Sequence, residues 1–120
     1  MRVHVDCRGR GAGKSHDLAL SIIDHLAEQA WAGERASAVL VVPEARWLEH
    51  HALSMLKRYV ADGRLRVLTP GTVYGTRGLR EVPWFVDDAH LFTPAQWGTT
   101  AREAEITQAP CLHRTEVPLP

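Results

Sequence analysis

A glycine-rich turn held between two strong secondary-structure signals constrains this chain more than anything else in it. Residues 9–15 read Gly-Arg-Gly-Ala-Gly-Lys-Ser, following Val3 and Val5 of a short apolar run and preceding a long amphipathic stretch. Glycines let successive backbone N–H groups turn inward around an anion. The first turn of the following helix adds unpaired N–H groups and the positive end of its dipole. In that setting Lys14 reaches the β- and γ-phosphates of a nucleotide, and the Ser15 hydroxyl offers a coordination place to Mg²⁺. The bland alternative is a Gly-Lys-Ser string in a surface turn.

A second feature lies far along the chain. Pro83-Trp84-Phe85-Val86-Asp87-Asp88-Ala89-His90 is an apolar run that ends in two carboxylates. Continuous apolar runs mark buried parallel strands, and ligands bind at the carboxyl ends of such strands. Asp87 is then placed to hold Mg²⁺ through water, since hard cations prefer oxygen ligands. Asp88 is placed to orient or deprotonate an attacking water. The competing reading is an ordinary strand followed by an acidic cap or turn.

On these residues the chain resembles the P-loop NTPases, with 9–15 as Walker A and 84–88 as Walker B. The loop departs from the consensus in having Arg8 where the first glycine is usual, with glycine displaced to Gly9. Asp-Asp-Ala-His is similar to the Asp-Glu-x-His/Asp box of helicases and related nucleic-acid motors. Shorter strings follow in the matching order: Val41-Val42-Pro43, Leu68-Thr69-Pro70-Gly71 and Arg77-Gly78-Leu79, the last resembling an element of viral DNA-packaging terminases. Arg10 resembles the arginine that terminases often carry inside the loop. The resemblance implies a three-layer α/β/α core around a mostly parallel sheet, and Mg²⁺-dependent binding and hydrolysis of ATP or GTP.

It also implies roles. Gly9, Arg10, Gly11, Ala12, Gly13, Lys14, Ser15 and His16 would contact the nucleotide, and Ser15 and Asp87 the metal. Lys14, Asp88 and Arg77 would serve catalysis, Arg77 as a charge stabiliser. Thr107 and Gln108 are candidates to sense the γ-phosphate. DNA or RNA is the expected partner, within a homo-oligomer or a larger motor. Arg77, Arg80 or Arg102 would complete a neighbouring site in trans, because a second core or a nuclease domain does not fit in 120 residues. Two other readings stay open: a nucleotide-dependent adaptor with little turnover, and a small-molecule kinase similar to the thymidine kinases.

Hydrophobic periodicity supplies the frame. Residues 2–7 read as a strand, and the stretch from about Lys14 to Ala30 as a helix with Leu18, Ile22 and Leu26 on one stripe beside Ala19, Ile23 and Ala27. Gly33 ends that region. Ala38 to Val42 read as a buried strand and Glu44 to Ala61 as a helix carrying Leu48, Ala52, Met55, Leu56 and Tyr59. Arg66 to Thr69 read as a third strand. Thr93 and Pro94 start a short helix, and Ala104 to Gln108 read as a last core strand. The expected domain is 1–110, with 111–120 as a proline-containing tail.

Composition narrows the class. Apolar content of 45% is enough for a core, and the formal net charge is zero, so the overall balance does not advertise phosphate-backbone binding. No run of about 18 apolar residues occurs, and no leader is read at the start, so no membrane partner is expected. Cys7 and Cys111 read as free thiols of a reducing cytoplasm, the host's if the chain is viral. Seven scattered histidines form no zinc spacing. The tryptophans read as packing residues, with Trp47 also placed to stack on a base.

Overall fold

The segments that become strands all run the same way. In a computed structural model, which describes residues 1–9, 13–31, 37–49, 51–76 and 78–117, the strands are β1 (Arg2–Asp6), β2 (Ala38–Val41), β3 (Leu65–Leu68), β4 (Trp84–Val86) and β5 (Cys111–Thr115). They pair in the order β1-β5-β4-β2-β3, each pairing parallel. The α-helices are α1 (Lys14–Trp31), α2 (Lys57–Ala61) and α3 (Pro94–Ile106). The fold is therefore α/β, as the alternating pattern implied.

Period-two alternation along the strands sends side chains to opposite faces. Ala38, Leu40 and Val42 pack with Leu18, Ala19, Ile22 and Leu26 of α1 and with Leu53, Leu56 and Tyr59. Val39 and Val41 point the other way, where they join Trp84, Val86 and Leu112 beneath Ala104 of α3. Helical elements thus cover both faces, and each fully buried aliphatic side chain contributes about 1.5–3 kcal/mol. The stripe read on α1 holds at Leu18, Ala19, Ile22 and Leu26, whereas Ala27 is exposed.

Three expectations are corrected. The single helix from Glu44 to Ala61 is instead two 3₁₀ runs, Ala45–Glu49 and His51–Leu56, followed by the short α2. Apolar residues three and four apart suit both kinds of turn, so periodicity did not separate them. Ala104 to Gln108 is not a strand but the end of α3. Thr93 caps that helix, in a reciprocal box with Gln96. At its other end Gln108 N–H donates to the Glu105 carbonyl (2.9 Å) and Ala109 N–H to the Ala104 carbonyl (3.0 Å). With Gln108 at φ 58°, this is a Schellman ending. Finally, Cys111–Thr115 is not a tail: it is β5, hydrogen-bonded between β1 and β4.

Candidate active site

Parallel strands present their carboxyl ends at one edge, where the connecting loops gather. The turn after β1, the start of α1, Trp47 after β2, Asp87 and Asp88 after β4, and the end of β5 meet there. They border an open cleft of about 540 Å³ lined by Gly13, Lys14, Ser15, His16, Trp47, Ala52, Asp88, His90, Leu91 and Val117.

Asp87 is the hub of this edge and has no exposed surface. Its backbone N–H continues the sheet by donating to the Val41 carbonyl (3.1 Å). Ser15 Oγ lies 2.9 Å from Oδ1 and 3.0 Å from Oδ2 of its carboxylate, across 72 residues of sequence. Thr115 Oγ1 donates to Oδ1 (2.7 Å) and Trp47 Nε1 donates to Oδ2 (2.9 Å). A buried carboxylate needs such donors, because an unsupported one would lose several kcal/mol of solvation. Sequence reasoning paired Ser15 with Asp87 but missed Thr115 and the hydrogen bond of Trp47. Thr115 stands in the strand read as a tail, and nothing in sequence spacing announces an indole N–H reaching 40 residues away.

The turn before α1 is braced from both ends. Gly13 has φ +79°, a left-handed conformation that glycine adopts without steric cost. Its carbonyl accepts from Asp17 N–H (2.9 Å), which starts the helix. Lys14, largely buried, donates from Nζ to the Gly9 carbonyl (3.1 Å), which ties Gly9 to the start of α1. Arg8, standing in place of the usual glycine, bridges Asp6 and Asp17, each at 2.6 Å. Its hydrogen bonds hold the Asp6 carboxyl below the ordinary carboxylate range. Those of Asp6 and Asp17 push the guanidinium pKa higher still. Arg8 thus ties the end of β1 to the first turn of α1.

Asp88 carries backbone strain. Its φ and ψ are both 51°, a left-handed conformation uncommon outside glycine and concentrated at functional sites. Its N–H donates to Thr115 Oγ1 (2.8 Å), which fixes that turn. His90 Nδ1 lies 4.0 Å from Asp88 Oδ1 and accepts from Val117 N–H (3.1 Å).

Other sequence candidates fall elsewhere. Thr107 caps the end of α3, and its carbonyl accepts from Glu81 N–H ahead of β4. Gln108 shares a small surface cleft with Met1. Both therefore sit at the amino ends of the strands, opposite Lys14. Arg80 lines another surface cleft, beside His25 and Pro83, and Arg102 is exposed on α3. Arg10, Gly11, Ala12, Gly33 and Arg77 lie outside the described residues.

The donor set suits a hard cation: the Ser15 hydroxyl lines the cleft, and the Asp87 carboxylate that it bonds is buried behind it. Among the described residues no group of three or more His, Cys, Asp or Glu side chains could hold an ion. A cation here would therefore draw its remaining ligands from phosphate and water. No helix among the described residues is long and apolar enough to cross a membrane. Compared with known proteins, the chain matches no family model and no curated sequence.

Proposed function

We propose that this chain is a three-layer P-loop NTPase core that binds ATP or GTP with Mg²⁺ in the cleft beside Lys14 and hydrolyses it. The observation that carries the reading is the contact between Ser15 and Asp87 at the rim that Lys14 and Gly13 also form. Two motifs separated by 72 residues meet as a phosphate-and-metal site requires. The left-handed Gly13 at the head of α1 supports the same reading.

Lys14 would exchange the Gly9 carbonyl for phosphate oxygens, a stronger charge-assisted partner. Ser15 would turn an oxygen lone pair to the cation while its O–H goes on donating to Asp87. Bound Mg²⁺ would supply charge neutralisation and orientation of the γ-phosphoryl group. Asp88, on the cleft wall, would polarise the attacking water. Thr115 has one hydroxyl proton, and that proton is given to Asp87, so it would hold the carboxylate and not donate to phosphate.

Asp88 stands where related ATPases carry glutamate, one methylene longer. A misplacement of about 1 Å costs on the order of a hundredfold in rate, which favours a second reading, a nucleotide-dependent adaptor with slow turnover. An arginine supplied in trans by a second copy rests on the resemblance alone. The link to a DNA or RNA motor rests on the Asp-Asp-Ala-His resemblance; the kinase reading rests on the glycine loop and the acidic strand end, which it shares with the ATPase reading.

Phosphate release from Mg-ATP and Mg-GTP, with and without DNA or RNA, tests the reading. Lys14→Ala is expected to abolish nucleotide binding, and Asp88→Asn to keep binding and lose turnover. Release stimulated by nucleic acid would favour a motor. Binding without release would favour the adaptor, and equal binding by Lys14→Ala would remove the site.

A further inference from the structure

Resting on the nucleotide-binding reading above, the geometry points to Trp47 as a positioning residue for the cation, acting through Asp87. A carboxylate offers roughly four lone-pair directions. Ser15 Oγ is nearly equidistant from the two oxygens, at 2.9 and 3.0 Å, so its hydroxyl is shared between them. Thr115 holds Oδ1 and Trp47 holds Oδ2, one donor on each side. Such a clamp stops rotation about the Cβ–Cγ bond. It keeps the carboxylate facing the Ser15 hydroxyl, which lines the cleft, so Asp87 acts on a cation through that hydroxyl. Asp87 has no exposed surface, so no bulk water can replace a lost donor cheaply.

Trp47 is also a wall of the cleft. It belongs to the 3₁₀ run after β2, not to the loops that follow β1 or β4. The indole N–H therefore joins a third segment to the Asp87 carboxylate. This is more than the packing or base-stacking role its aromatic character alone suggests. Partners that orient metal ligands typically carry 10–100-fold of metal affinity.

The test compares the full chain with Trp47→Phe, which keeps an aromatic ring and removes the N–H. Affinity for ATP is titrated without metal and then against rising Mg²⁺. Metal-free affinity is expected to stay within about twofold, while the Mg²⁺ needed for half-maximal enhancement rises about 10–100-fold. A residue that only packs would shift both together or neither. Identical Mg²⁺ dependence in the two proteins overturns the role of Trp47 alone. A wild-type chain that binds no nucleotide overturns the underlying reading with it. A second measurement needs no variant at this position. In wild-type protein labelled with 5-fluorotryptophan, the Trp47 resonance is expected to move when Mg²⁺ joins bound ATP. A resonance that stays still overturns the proposal.

Discussion

Thr115→Val isolates the hydrogen bonding beneath the cleft from any question of ligand. Valine has nearly the same volume and suits a strand, so the change removes a hydroxyl and little else. That hydroxyl donates to Asp87 Oδ1 at 2.7 Å and accepts Asp88 N–H at 2.8 Å. A hydrogen bond to a charged group is worth about 1.5–3 kcal/mol, and an orphaned N–H costs about 1–3 kcal/mol when buried. Asp87 keeps Ser15 and Trp47 as donors, and the Asp88 turn is only partly buried, which places both contributions at the low end. The expected loss is about 2.5 kcal/mol, a large part of a small domain's stability. Urea unfolding followed by far-ultraviolet circular dichroism measures it as a lower midpoint at unchanged slope. Thr115→Ser keeps the hydroxyl and is expected to lose only about 1 kcal/mol, for one buried methyl. A valine variant within about 0.5 kcal/mol of wild type, the ordinary range of inert surface changes, would refute the reasoning. So would a serine variant as unstable as the valine one.

Two further outcomes follow from the fold. His113 stacks between His4 and Phe85, with ring centroids 4.6 and 5.0 Å apart. Burial first, then repulsion from His4, His25 and Arg2, lowers its pKa. The unfolded chain takes up the proton near pH 6.5 and the folded chain only lower, so stability is full above that pH and falls as pH drops below it. Denaturant midpoints across pH 5–8 should show this slope, and His113→Phe should flatten it; an unchanged slope would place the titration elsewhere. Gln108 occupies the left-handed position that ends α3. Because an L-residue pays roughly 1–2 kcal/mol there and glycine returns only part through chain entropy, Gln108→Gly should raise stability by about 0.5–1 kcal/mol. A melting temperature that falls would contradict that account.

What the sequence made legible was local. The glycine turn, the stripe on α1, the Thr93–Pro94 start of α3 and the apolar run of β4 each announce themselves within a few residues. The meeting of Ser15 and Asp87 also followed, because α1 starts, and β4 ends, at the carboxyl edge of the parallel sheet. β5 was illegible for a physical reason. A strand buried in a parallel sheet is expected to be apolar, yet Cys-Leu-His-Arg-Thr buries only Leu112 and Thr115 and keeps its other side chains half-buried. His113 enters a ring stack, Arg114 lies 4.5 Å over the Trp97 ring, and Thr115 bonds Asp87. Thr107 and Gln108 followed the strand wrongly placed at 104–108, and so landed at the far end of the sheet.

The most direct test of the account is calorimetric titration of Mg-ATP and Mg-GTP into the full chain and into Lys14→Ala, each with its fold checked by circular dichroism. Saturable one-to-one binding by the wild type, weakened at least about a hundredfold (2.7 kcal/mol) by loss of the ammonium, is the predicted result. No binding by the wild type, or equal binding by the two proteins, would contradict the claim that this edge of the sheet holds a nucleotide.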